Sequence, residues 1–214
     1  MRDTNQARMY GEIVTPFSFS HETKNERFYN FEIKVERLSG AIDVLPAMVS
    51  ERLVDVSRDL TGHMVQIDGR VQSYNKQLDN GKIKHFLFLF VCDIEFAEND
   101  EVFGLNNQVY LDGFICKKPT YRITPSGREI ADVLLAVNRP YGKSDYVPCI
   151  LWGRNAKFAS NMEVGERLLL GGRFQSREYV KKLEDGTEET RTAYELSVSQ
   201  IFRNEDFENE TVSK

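Results

Sequence analysis

Ten residues, Asp145–Arg154 (DYVPCILWGR), carry the side chains in this chain best suited to chemistry with a ligand. Tyr146 and Trp152, the single tryptophan, bracket a short apolar run of Val147, Cys149, Ile150 and Leu151, and Gly153 and Arg154 follow at once. The pattern predicts a strand with aromatic rings at its ends and a cation beside them. Rings so placed suit stacking on nucleobases, at about 1–3 kcal/mol per base, while cations follow the phosphates. Taken singly, a Tyr or Trp on a strand more often packs a core or a rim. Other chemistry has little support. The three histidines, His21, His63 and His85, sit apart from cysteines and carboxylates at metal spacing. No Gly-rich phosphate loop or nucleophile motif occurs, so no catalytic residue, metal or cofactor is expected.

The element that must position these residues appears twice. At an offset of 102 the chain matches itself from Gly11 to Arg52, with Gly11/Gly113, Ile13/Ile115, Val35/Val137, Arg37/Arg139, Gly40/Gly142, Asp43/Asp145, Pro46/Pro148 and Arg52/Arg154 identical. One residue later, at offset 103, GRVQS (69–73) matches GRFQS (172–176). A fixed register through strand, turn and strand reads as two copies of one unit. The polar stretch AENDEVFGLNN near 97–106 reads as their link. In the second copy strands are expected near 107–116, 129–139, 146–153, 166–179 and 192–203, with a short helix at 155–161. In the first copy Ser50 reads as a helix cap, with Leu53, Val56 and Leu60 on one face. Five strands with a helix between the third and fourth predict an all-β chain of two tandem OB-folds, small partly open barrels.

Residues 107–203 resemble the core of the bacterial single-stranded DNA-binding proteins. NQVYLDGFI, YRITPSGREIADVLLAVN, DYVPCILWGR, GERLLLGGRFQSREY and TAYELSV follow in that family's order. The resemblance implies sequence-independent binding and protection of single-stranded DNA in replication, recombination or repair. It places base-stacking rings at Tyr141, Tyr146, Trp152 and Tyr179, three of them Tyr where Trp is commoner, and phosphate contacts at Arg122, Arg154 and Arg177. Lys143 and Arg173 are nearby candidates. Arg139, repeated as Arg37, reads instead as a structural ion pair, and Lys181 and Lys182 as a solvated hairpin tip. An RNA-binding or primosome-type accessory role and an OB-fold nuclease stand as alternatives.

The same register sets Ser39, Val44, Ser50 and Lys76 where the second copy has its four rings. Residues 1–96 are therefore expected to form a degenerate barrel serving assembly, and 107–203 the DNA-binding one. Phe28, Tyr29, Phe31 and Tyr74 leave a separate, weaker path open. The run HFLFLFVCDI (85–94) is apolar on both faces, as in a covered core strand or a subunit interface. Family members usually assemble four OB units, so the resemblance implies a homodimer presenting four. Residues 204–214 form a short acidic tail in which Asp206, Phe207, Glu208 and Glu210 faintly echo the family's acidic tip. A solvated end is expected there, not one that recruits replication or repair enzymes.

The composition agrees with a globular binder. The net charge is −5. Residues 1–104 hold 12 Lys and Arg against 17 Asp and Glu, whereas 105–203 hold 15 against 12, and local field governs phosphate attraction. No apolar run approaches the ~20 residues of a membrane span, and the amino terminus lacks the apolar core of a secretory signal, so a cytoplasmic location is expected. Cys92, Cys116 and Cys149, each in a strand-like run without paired spacing, read as buried thiols.

Overall fold

Strands form where the period-two alternation runs. The computed structural model describes residues 4–77, 81–97, 106–183 and 186–202. In the first half they are β1 (Asn5–Ile13), β2 (Ser18–Thr23), β3 (Glu26–Glu36), β4 (Ile42–Ser50), β5 (Met64–Gln77) and β6 (Ile83–Phe96). The second half has β7 (Asn107–Ile123), β8 (Glu129–Asn138), β9 (Ser144–Trp152), helix α1 (Gly153–Ser160), β10 (Arg167–Lys182) and β11 (Glu188–Phe202). The chain is thus all-β, two OB-folds in tandem. β7 is the long first strand of its barrel, and β1 and β2 are the same strand interrupted at Pro16, which has no N–H for a ladder. Each barrel closes the same way. A short parallel pairing joins β4 to β6 and β9 to β11, and the first strand pairs on both sides to complete the ring, β1 with β3 and β5, β7 with β8 and β10. The repeated glycine of each first strand is explained by crowding: a Cβ at Gly11 would strike the carbonyl oxygen of Lys34, and one at Gly113 that of Ala136.

The two barrels share one sheet. β1 pairs antiparallel with β7 so that Ala7, its midpoint, faces Val109, its own counterpart in the repeat. The contact is therefore self-complementary, as in a two-fold dimer. Side chains reinforce it reciprocally. Asp43 and Asp145 are 0% and 1% exposed. The Asp43 carboxylate accepts from Arg37 Nε at 2.7 Å and from the Ser176 amide at 2.8 Å. Asp145 accepts from Arg139 Nε at 2.6 Å and from the Ser73 amide at 2.5 Å. Each Arg also donates to the carbonyl of that same Ser, at 3.2 and 3.0 Å. The ion pair of one copy thereby grips the GRxQS strand of the other, and Arg139 is the structural pair its repetition suggests. Asn5 and Asn107 do similar work within each copy, bonding both polar groups of Val71 and Phe174.

Two expectations need correction. The segment after Ser50 is a chain of turns, without the helix expected between the third and fourth strands. Asp55 accepts from the Ser57 amide and hydroxyl, and Asp59 from the Thr61 amide. These local bonds give the backbone an alternative to helix. Val54 and Leu60 still reach the core, while Leu53 stays exposed. Only Cys149 among the thiols is buried; Cys116 is half-buried and Cys92 exposed. Cys92 is the extra residue of a bulge, skipped where Gly69 pairs with Val91 and Asp68 with Asp93. Strand β6 carries apolar residues on both faces: Leu87, Leu89 and Val91 enter the core, and Phe86, Phe88 and Phe90 lie half-buried on the outside. The link at 98–105 and the tail at 203–214 lie outside the described residues.

Two outcomes follow from this packing. Asp43→Ala or Asp145→Ala should each lower the unfolding free energy in urea by about 3–5 kcal/mol, since each leaves a half-buried guanidinium and a serine amide without their partner. Asp68→Ala, breaking the exposed pair with Arg8, should change it by less than ~1 kcal/mol; equal small effects would show that the clamps hold nothing. A disulfide reagent should label Cys92 first and Cys149 only on unfolding, because burial pushes the Cys149 thiol up and suppresses its thiolate.

Candidate functional site

The outer face of the second barrel is built by alternation along β9. Val147, Cys149 and Leu151 point into the core, so Tyr146, Pro148, Ile150 and Trp152 face outward. The cross-strand register extends this face. Tyr146 lies opposite Ala136, itself opposite Phe114, and Trp152 lies opposite Ile130, itself opposite Arg122. On the other flank Ile150 pairs with Ser197, which pairs with Arg173. Arg173, Gln175, Arg177 and Tyr179 follow at period two along β10. One surface therefore gathers Tyr146, Trp152 and Tyr179 with Arg122, Arg173 and Arg177.

The rings are accessible but held. Tyr146 is 43% and Tyr179 38% exposed. Trp152 is half-buried, and its indole N–H donates to Ser197 Oγ at 3.2 Å. The Tyr146 amide donates to Ser73 Oγ of the first copy at 2.8 Å, and its carbonyl lies 2.8 Å from His85 Nε2. The partner barrel thus fixes the strand that bears this ring. Immediately after Trp152 the chain turns sharply at Gly153 (φ +51°), a conformation favouring glycine, and enters α1, whose Ala156 and Ala159 are buried.

The cations are screened by carboxylates. Arg122 pairs with Asp132 at 2.8 Å, and that hydrogen bond raises its pKa. Arg177 pairs with the buried Glu195 at 3.2 Å while its guanidinium sits 5.9 Å from the Tyr179 ring. Gln175 Nε2 also donates to Glu195, at 2.9 Å. Arg173 differs from both. Burial pushes its pKa down, and its Nε is shielded with no hydrogen-bond partner among the described residues. A half-buried guanidinium beside Arg37 and Asp43, with a terminal nitrogen donating to Gln175 Oε1 at 3.0 Å, belongs to the barrel junction more than to the open face.

Arg154 and Lys143 stand apart from that face. Arg154 starts α1 and borders a separate groove of about 530 Å³ with Phe158 and Met162. Lys143 is exposed in the hairpin between β8 and β9. The side chain of Tyr141 lies outside the described residues. The sequence reading missed Phe114, 41% exposed in the same row as Tyr146; its alternation with the buried Ile115 was the available signal. Among the described residues no cluster of His, Cys, Asp or Glu is placed to hold a metal ion.

Residues 106–203 match the model of the Single-strand binding protein family. Over 80 residues the chain is 38% identical to single-stranded DNA-binding protein 1 of Staphylococcus aureus (strain COL), covering 34% of this chain and 48% of that protein. It is 34% identical over 80 residues to the single-stranded DNA-binding protein of Halalkalibacterium halodurans, with 34% and 48% covered. The chain spans about half the length of the curated relatives it matches. The crystal structure of the wild-type single-stranded DNA-binding protein from Thermus aquaticus superposes with a TM-score of 0.74 at 19% identity, over 95% of this chain and 94% of that one. That likeness runs through both barrels and concerns the fold.

Proposed function

We propose that the chain binds single-stranded DNA with little sequence preference and protects it during replication, recombination or repair, acting as a binder and not as an enzyme. What carries this reading is the gathering of three accessible rings and two surface arginines on one outer face of the domain. Tyr146, Trp152 and Tyr179 stack bases and Arg122 and Arg177 take phosphates, while Arg154 and Lys143 are further cations beyond that face and Tyr141 is a further ring by its place in the sequence alone. Three rings supply about 3–9 kcal/mol, against the ~12 kcal/mol of a nanomolar complex, so rings alone fall short of tight binding and the cations matter. Each phosphate drawn into the site must displace a carboxylate already in place, Asp132 or Glu195. Salt weakens binding by about 0.7 log units per phosphate neutralised per tenfold change, because each phosphate neutralised releases counterions from the DNA. The first barrel, clamped to the second, serves assembly. A cytoplasmic homodimer with four barrels completes the proposal.

Quenching of Trp152 fluorescence by oligo-dT tests it. Tyr146→Ala and Tyr179→Ala should each lose about 1–3 kcal/mol, or roughly 5- to 150-fold in affinity. Asp132→Asn, which releases Arg122, should tighten binding severalfold at low salt. Unquenched Trp152, or preference for duplex or RNA over single-stranded DNA, would contradict the reading. Equilibrium sedimentation should give twice the 24.7 kDa chain mass; a single-chain mass at micromolar concentration would remove the dimer.

A further inference from the structure

A groove of about 1610 Å³ runs between the barrels, larger than the ~300–1,000 Å³ typical of small-molecule clefts. Its floor is the outer face of the first barrel and its wall the β10–β11 hairpin of the second. The floor is aromatic. The Tyr74 ring, 44% exposed, stacks on Phe86 at 5.0 Å with 8° between planes, and Phe88 meets it edge-on at 5.7 Å. Lys84 Nζ lies 4.8 Å over the Phe86 ring. Cations come from both barrels: Lys82 and Lys84 from one, Lys181, Lys182 and Arg191 from the other. Three carboxylates answer them: Glu32, Glu189, engaged by Arg191 at 2.7 Å, and Glu188, 3.7 Å from Lys182 Nζ. Tyr179, already on the second barrel's outer face, also borders the groove, so the two surfaces are continuous.

This floor is not a remnant of the second barrel's ring positions. In the repeat Tyr74 takes the place of Arg177, and it pairs with Phe86 as Arg177 pairs with Ala193. Gln72 likewise pairs with Phe88 as Gln175 pairs with Glu195. Where one barrel has an arginine screened by a carboxylate, the other has an unscreened cluster of rings. Flat rings beside a positive excess are what unpaired nucleotides recognise.

We propose that this groove carries the continuation of the same single strand, with bases against Tyr74 and Phe86 and phosphates along Lys82, Lys84, Lys181 and Lys182. It rests on the second barrel's outer face being the primary site. The full-length protein tests it with two lengths of oligo-dT, one of about 8 nucleotides, within the ~4–16 that one OB-fold occupies, and one about four times longer. The double variant Lys82→Glu/Lys84→Glu and, separately, Tyr74→Ala should leave the short oligonucleotide bound within twofold. On the long one each should lose about tenfold or more, and the charge variant should also flatten the salt dependence by about 1.4 log units. Thermal melts matching the parent exclude a folding defect. Long-oligonucleotide binding unchanged by both variants overturns the proposal and leaves the groove to a protein partner. Equal losses at both lengths overturn it too. Failure of the parent protein to bind either length instead sinks the primary site, a distinguishable result.

Discussion

Two buried carboxylates hold this architecture together. Asp43 and Asp145 are each satisfied by an arginine of their own barrel and a serine amide of the other. A charge taken out of water is tolerable only while its hydrogen-bond partners stay in place. Separating the barrels would strand both carboxylates together with the Ser73 and Ser176 backbone groups. The β1–β7 ladder adds main-chain bonds across the same pseudo-dyad. The chain therefore behaves as a covalent dimer whose halves depend on one another, and neither barrel's surface is meaningful in isolation. Even the amide of Tyr146 is held by a serine from the opposite half.

Within that shared frame the two outer faces have diverged by substitution along equivalent strands. The second barrel keeps rings at the ends of β9 and on β10, and tempers its arginines with Asp132 and Glu195. The first barrel lacks rings at those positions but carries Tyr74, Phe86 and Phe88. Since β5 and β10 present side chains at period two, a ring displaced by two residues, from the place of Tyr179 to that of Arg177, remains on the same face. The fold fixes which surface is available, and side-chain choice decides what that surface does.

Much of this was legible beforehand. Identical Gly, Arg, Asp and GRxQS positions reported the repeat because each answers a geometric demand: close approach of a carbonyl at Gly11 and Gly113, a buried ion pair at Arg37 and Arg139. The rings at the two ends of β9 were legible as strand ends, and the structure leaves Tyr146 exposed and Trp152 half-buried. Other features escaped because they depend on neighbours distant in sequence. The turns after Ser50 look helical until Asp55 and Asp59 are seen bonding their own backbone. The exposure of Cys92 comes from a bulge against β5, and the shielding of Arg173 from its position beside Arg37 of the other barrel. The groove needs two hairpins about a hundred residues apart, so no local pattern announces it.

The account stands on the claim that unpaired nucleotides lie across the outer face of the second barrel. Photocrosslinking with an oligo-dT carrying 5-iodouracil, followed by peptide mapping, reads that contact directly. Adducts at Tyr146, Trp152 or Tyr179 are predicted. Adducts confined to the seam between β1 and β7, around Tyr110 and Arg8, would place the strand where this account has none and would contradict it.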